Sequence, residues 1–237
     1  MRKHTNKAFD ANLHDLKSKI ARMGGYVEKQ SADAIDALAR SNAALAREVI
    51  TFDEAVDQLQ RDIEAAAVVT IARRQPMAID LREIVAALRI STDLERVGDL
   101  SKNIAKRVIA LDGEALPVSL IRGVEHMGEM MLAQLKRVLD SYARHDVAAA
   151  LAVWRDDEKI DAITQSLFAE LLNTMLEDPR NIRFCIHLLF CAKNIERKGD
   201  HATNIAETVH YVVEGRTIPA ARPKRNTTSL LLSMSPA

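Results

Sequence analysis

Apolar residues recur along most of this chain at intervals of three and four, the spacing that lines one face of an α-helix. Leu13, Leu16, Ile20, Met23 and Val27 make one such stripe, and Val49, Phe52, Val56, Leu59 and Ile63 make another. Prolines and glycines divide the periodic stretches. Pro76, Pro117 and Pro179 stand where helices would start, the last behind Asp178 in a cap-then-proline arrangement. Gly113 and Gly215 each follow a long periodic stretch, as C-terminal caps do. This punctuation predicts six long helices, over about 5–40, 43–73, 77–112, 117–143, 146–177 and 180–215. Gly24-Gly25 lies inside the first and leaves open whether it kinks. From Arg216 the periodicity fades into a Ser/Thr-rich tail, with Pro219, Pro223 and Pro236, that is expected not to pack.

Composition narrows the class. Among 237 residues aromatics are 4%, with 8 Gly and 6 Pro, which suits helices and argues against an all-β fold. Lys plus Arg and Asp plus Glu are 33 each, so the chain lacks the positive field that favours nucleic acid or anionic lipid. The longest unbroken apolar run, Val147–Trp154, is eight residues, where a membrane span needs about 20. Met1-Arg2-Lys3-His4 leads into no apolar segment, so no signal peptide is expected. Cys185 and Cys191 lie on one predicted helix and cannot easily bridge each other. They read as free buried thiols in a reducing compartment, and a cytoplasmic location is the expectation.

The chain repeats itself. Adding 104 maps Leu16 to Leu120, Ile20 to Val124, Met23 to Met127, Gln30 to Gln134, Val49 to Val153, and Asp53-Glu54 to Asp157-Glu158. Beyond these the offset becomes 101: Arg82 maps to Arg183 and Leu88 to Leu189. Glu95-Arg-Val-Gly-Asp-Leu-Ser-Lys-Asn-Ile-Ala-Lys106 then faces Glu196-Arg-Lys-Gly-Asp-His-Ala-Thr-Asn-Ile-Ala-Glu207, identical at seven of twelve positions. Shared amphipathic periodicity would match apolar positions alone, not Glu, Arg, Gly, Asp and Asn together. The expected fold is therefore all-α, two tandem three-helix bundles over residues 1–112 and 113–215, each able to bury a small core, followed by the tail 216–237.

Within each copy two acidic pairs stand at i,i+4: Asp53/Asp57 and Glu95/Asp99, then Asp157/Asp161 and Glu196/Asp200. Side chains four apart share a helix face about 5–6 Å apart at Cβ, and two carboxylates there repel unless a cation lies between them. Hard cations take such oxygens, and bridging carboxylates also suit multinuclear iron or manganese. Placement, not number, departs from chance, because only a fifth pair, Glu125/Glu129, falls outside repeat register. Glu95, Asp99 and Asn103 continue the stripe of Leu81, Ile84 and Leu88. Glu196, Asp200 and Asn204 extend that of Ile182, Cys185 and Leu189. Asp53/Asp57 and Asp157/Asp161 lie at the edge of their apolar faces, so helices two and three of a copy could gather four carboxylates. A solvated acidic edge neutralised by Arg96, Arg197 or nearby lysines remains the alternative. Gly98 and Gly199, mid-helix and in register, each cost about 1 kcal/mol relative to Ala and suggest close helix approach beside the carboxylates.

Enzyme signatures are missing. There is no G-x-x-x-x-G-K-[ST], G-x-G-x-x-G, G-x-S-x-G or C-x-x-C, and no nucleophile stands with a base, so a non-enzyme is expected. Ferritin-like di-iron bundles need two Glu-x-x-His pairs, and only Glu207/His210 occurs, opposite Lys106/Ile109. His201 reads as an exposed histidine rather than a ligand. Trp154 and the Met127/Met130/Met131 group read as packing.

Two three-helix copies, each with Asp-x-x-x-Asp on the second helix and Glu-Arg-x-Gly-Asp-x-x-x-Asn-Ile on the third, resemble the PhoU family of phosphate-transport accessory proteins, over about residues 8–215. The resemblance implies a cytoplasmic negative regulator of phosphate uptake and of the phosphate-starvation response. It implies an adaptor between the phosphate transporter's ATPase subunit and a membrane-bound sensor histidine kinase. It also implies a divalent or multinuclear metal (iron, zinc, manganese or magnesium) on Asp53, Asp57, Glu95 and Asp99 in one copy, and on Asp157, Asp161, Glu196 and Asp200 in the other. Leu100 against His201 and Lys106 against Glu207 suggest that the two sites differ. A flat six-helix arrangement would leave an apolar face uncovered, so a homodimer is expected. The alternative is a metal-free helical module whose acidic face binds a basic partner surface.

Overall fold

The computed structural model describes residues 7–111 and 118–219. Six long helices account for nearly all of them: α1 (Lys7–Ala39), α2 (Ala43–Arg74), α3 (Ile79–Ala110), α4 (Val118–Arg144), α5 (Val147–Glu177) and α6 (Ile182–Glu214). No strand occurs among the described residues. The expected all-α class and six-helix count hold, and the boundaries shift by a few residues. Pro179 opens a 3₁₀ turn, Pro179–Asn181, with Asp178 accepting from the Arg180 N–H, so α6 begins only at Ile182. Gly215 (φ 73°) closes α6, while Pro117 and Gly113 lie outside the described residues.

Local signals recur in register. Asn42 caps α2 by accepting from the Leu45 N–H at 3.1 Å, and Asp146, 104 residues on, caps α5 through the Ala149 N–H at 2.9 Å. The residues before them, Ser41 and His145, both take positive φ (50° and 56°), which makes the two helical turns alike. Such caps are worth about 1 kcal/mol each.

The repeats face each other across an approximate two-fold. Arg82 on α3 donates to the Val212 carbonyl of α6 at 3.2 Å, and its counterpart Arg183 donates to Ala110 at 3.1 Å. α3 and α6 are therefore antiparallel, crossing where Val97 and its counterpart Lys198 fall at the same level. The α1–α4 pair does the same. A methyl at Gly24 would lie 2.8 Å from Leu139 Cδ1, and one at Gly128 2.9 Å from Ile35 Cγ1. Gly24 does not break α1, which runs unbroken; it admits the side chain of α4. Helices α2 and α5 pack mainly on their own repeat.

One continuous apolar cluster spans both repeats, from Leu16, Ile20 and Met23 through Ile90 and Leu94 to Ile195 and Ile205. Trp154, Met127 and Met131 are buried in it, and Cys185 and Cys191 are free and buried. The tail expected to leave the fold at Arg216 stays attached slightly longer. His210 Nδ1 lies 3.0 Å from the Arg216 carbonyl, and Ile218 packs against the core. Residues 220–237 lie outside the described residues. Apolar side chains emerge at equivalent tips: Val68, Met77 and Leu81 at the α2–α3 end, Leu172, Leu176 and Ile182 at the α5–α6 end.

Candidate functional site

The acidic motifs sit where α2 meets α3 and α5 meets α6, with a glutamine from the first helix of each repeat reaching in. Gln30 occupies a polar place in the apolar stripe of α1. Its Nε2 donates to the Val49 carbonyl at 3.3 Å and to Asp53 Oδ1 at 3.0 Å. Gln134 on α4 makes the same two bonds, to Val153 at 3.4 Å and Asp157 Oδ1 at 3.3 Å. Both glutamine Oε1 atoms are buried with no hydrogen-bond donor. They lie over the two registered glycines: a methyl at Gly98 would stand 2.9 Å from Gln30 Oε1, and one at Gly199 3.0 Å from Asp157 Oδ1 and 3.4 Å from Gln134 Oε1. Gly98 and Gly199 thus let α3 and α6 ride directly over the Gln–Asp pair.

Burial repeats as well. Asp53 and Asp157 are 4% and 3% exposed, deeper than the helix edge predicted for them. Asp57, Glu95, Asp99, Asp161, Glu196 and Asp200 are half-buried at the mouth. In the first repeat neighbouring acids act on Asp57 and Glu95. Burial and the charge of Asp53 push the Asp57 carboxyl up, with Asp99 adding to the rise. Burial and then Asp99 push Glu95 up.

A lysine lies among them. Lys102 on α3 pairs with Asp53 Oδ2 and lies 2.7 Å from Asp99 Oδ1, so its ammonium ties α2 to α3. Burial opposes charging of both partners, but the bonds to Asp53 and Asp99 outweigh it and raise Lys102 above the ordinary lysine range. Asp99 falls below the carboxylate range, since Lys102 and Arg96 overcome its desolvation. Arg96 lies 3.4 Å from Glu95 and 3.3 Å from Asp99. In the second repeat Thr203 stands in place of Lys102, its hydroxyl donating to the Asp200 carbonyl at 2.7 Å. There a cation pairs with the site at the rim instead, Lys193 with Glu196.

These carboxylates are the donor set a hard cation takes. Among the described residues, however, no three His, Cys, Asp or Glu side chains converge as a ready metal centre. In the first repeat Lys102 already holds the oxygens that would bridge the helices, so that donor set does not fit a metal as it stands.

One expectation changes. His201 is not exposed: its Nδ1 lies 2.9 Å from Asp93 Oδ1 of α3, which also accepts from Asn204 at 3.1 Å. Glu207 and His210 do not form a ligand pair, because Glu207 accepts from Trp154 Nε1 at 3.0 Å and His210 turns to Arg216. Sequence reasoning missed Lys198. It is 0% exposed at the α3–α6 crossing, its Nζ 3.3 Å from Ser31 Oγ, which is itself 2.9 Å from Ser101 Oγ. The signal was a lysine inside the stripe Cys191, Ile195, Ala202, Ile205.

Comparison with known proteins places this arrangement. A sequence model described as the PhoU domain matches twice, over residues 20–108 and 124–209. The chain is 54% identical over 232 residues to a phosphate-specific transport system accessory protein PhoU homolog of Rhizobium meliloti, covering 98% of each. It is 49% identical to a homolog of the same description from Caulobacter vibrioides, covering 94% of this chain and 97% of that one. The crystal structure of PhoU from Pseudomonas aeruginosa superposes with a TM-score of 0.83 at 38% identity, over 88% of this chain and 100% of that one. The phosphate transport system regulatory protein PhoU from Streptococcus pneumoniae also superposes with a TM-score of 0.83, at 28% identity, over 90% and 100%.

Proposed function

This chain belongs to the PhoU family, an accessory and regulatory protein of phosphate transport, and from that premise we propose that it is a cytoplasmic, non-enzymatic negative regulator of phosphate uptake and of the phosphate-starvation response. It acts as an adaptor between the transporter's ATPase subunit and a sensor histidine kinase. The carrying observation is the doubled Gln–Asp–Gly arrangement, in which two equivalent helix pairs each present a half-buried acidic mouth. No helix among the described residues is long and apolar enough to cross a membrane. The apolar tips of α2–α3 and α5–α6 support contact with partners or with a second copy in a homodimer.

The finer part of the proposal is a divalent or multinuclear metal on the acidic motif: iron, zinc, manganese or magnesium. When bound, it would neutralise clustered carboxylates and stiffen the mouth. The two repeats are not equal candidates to hold it. A metal-free reading has its own support, since Lys102 shows the first mouth accepting an ammonium group, the chemistry a basic partner surface would offer.

Deleting the gene tests the regulatory role. Phosphate-starvation genes are expected to be switched on in phosphate-rich medium, and normal repression would end the proposal. Untagged protein should copurify with the transporter ATPase and the kinase. Asp99→Asn with Asp200→Asn should weaken regulation if the mouths are used. Chelator-insensitive, salt-sensitive association would select the metal-free reading.

A further inference from the structure

The two acidic mouths match in their glutamine, their four acids, their arginine and their glycine, and they differ three residues after Asp99 and Asp200. Where α3 carries Lys102, α6 carries Thr203. The lysine is no bystander. Its ammonium reaches from α3 to Asp53 on α2 and back to Asp99, three residues before it on its own helix. Asp53 is 4% exposed, and its other oxygen already accepts from Gln30. Both oxygens of the deepest carboxylate are therefore committed, one to an amide and one to an ammonium. Arg96 takes the outer oxygen of Asp99 at 3.3 Å. What remains is Asp57 and Glu95, beside an ammonium whose charge repels a second cation. The second repeat carries its matching extra cation elsewhere: Lys193 pairs with Glu196 from a half-exposed position on the rim, and Thr92 occupies the corresponding place in the first repeat.

We infer that Lys102 is the built-in cation of the first repeat: it closes the Asp53–Asp99 gap between α2 and α3, and this repeat binds no metal ion while the lysine is present. Neither clause rests on the metal reading above. The first mouth therefore keeps its shape whatever the metal supply.

The test is metal binding by the full-length, untagged chain, with Mn²⁺ as the probe, read by titration and by elemental analysis after gel filtration. Asp161→Asn with Asp200→Asn disables the second mouth. In that background the protein should bind no Mn²⁺, whereas metal that persists there and is lost on adding Asp57→Asn would overturn the inference. Adding Lys102→Thr, which copies Thr203, should create Mn²⁺ binding at least roughly tenfold tighter than in the parent, and Asp99→Asn should abolish it again. No gain on removing the lysine would overturn the claim that it holds a cation's place. Lys102→Gln, similar in reach but uncharged, serves if the threonine variant does not fold, and must give the same gain. Failure of the wild-type chain to bind Mn²⁺ at its second mouth would count against the metal reading of the proposed function and leave the Lys102 arms to decide by themselves.

Discussion

Lys198 is a charged side chain shut off from water, 0% exposed among apolar neighbours on α6. Burial without a carboxylate pulls its pKa down to about 7. An unfolded lysine holds its proton up to about pH 10.4. Between these values the unfolded chain binds the extra proton, so this residue costs stability at neutral pH and the cost fades as pH rises toward 10. Lys198→Met is therefore expected to stabilise the protein at pH 7 by roughly 1–4 kcal/mol. The gain should shrink steadily when denaturation is repeated up to pH 10; a gain independent of pH would mean that packing rather than charge is responsible. The opposite sign holds at Asp99. Its lowered carboxyl stabilises the fold above the ordinary carboxylate range, and that contribution is lost as pH falls through its folded value. The sequence readily exposed Asp99, because its identity and register recur. It exposed Lys198 only as a break in an apolar stripe, since nothing in a stripe tells which helix will cover it.

At the scale of the element, the helices follow from periodicity and punctuation, and their glycines separate what a helix prefers from what its neighbour demands. Gly25 meets nothing within 4 Å, so Gly25→Ala should stabilise by about 1 kcal/mol through helix propensity alone. Gly98→Ala gains the same propensity but drives a methyl to 2.9 Å from Gln30 Oε1, which is pinned by two bonds from the same amide. Overpacking costs about 1–3 kcal/mol, so the variant should melt below wild type, and thermal denaturation of the two alanine variants side by side checks the contrast. The helical stretches and the registered glycines were legible in the sequence. Whether Gly24 kinked α1 was not, because the answer lay in Leu139, over a hundred residues away. Nor was the 3₁₀ start after Asp178, where the Asp178 cap and Pro179 close a turn of their own before α6.

Across the whole molecule, the two repeats behave as halves of one body. The buried cluster is continuous, and Gly24/Leu139 and Gly128/Ile35 interlock across the two-fold. Unfolding by denaturant should accordingly be a single transition. Fluorescence of Trp154, the sole tryptophan and a resident of the second repeat, should coincide with the loss of helix by circular dichroism. An earlier or later Trp154 transition would mean that each repeat holds its own core, as its length alone suggested. The sequence by itself determined the helices, their number, the doubling and the eight registered acids, because periodicity, caps and repeat register are local or self-comparing properties. Only the tertiary structure decided which charges face which. It sank Asp53 and Asp157 beneath glutamines from another helix, set Lys102 between two of the acids, joined His201 to Asp93, and sealed Lys198 at the crossing. The reason is physical: the state of a buried charge depends on the groups that replace its water, and those come from helices far away along the chain.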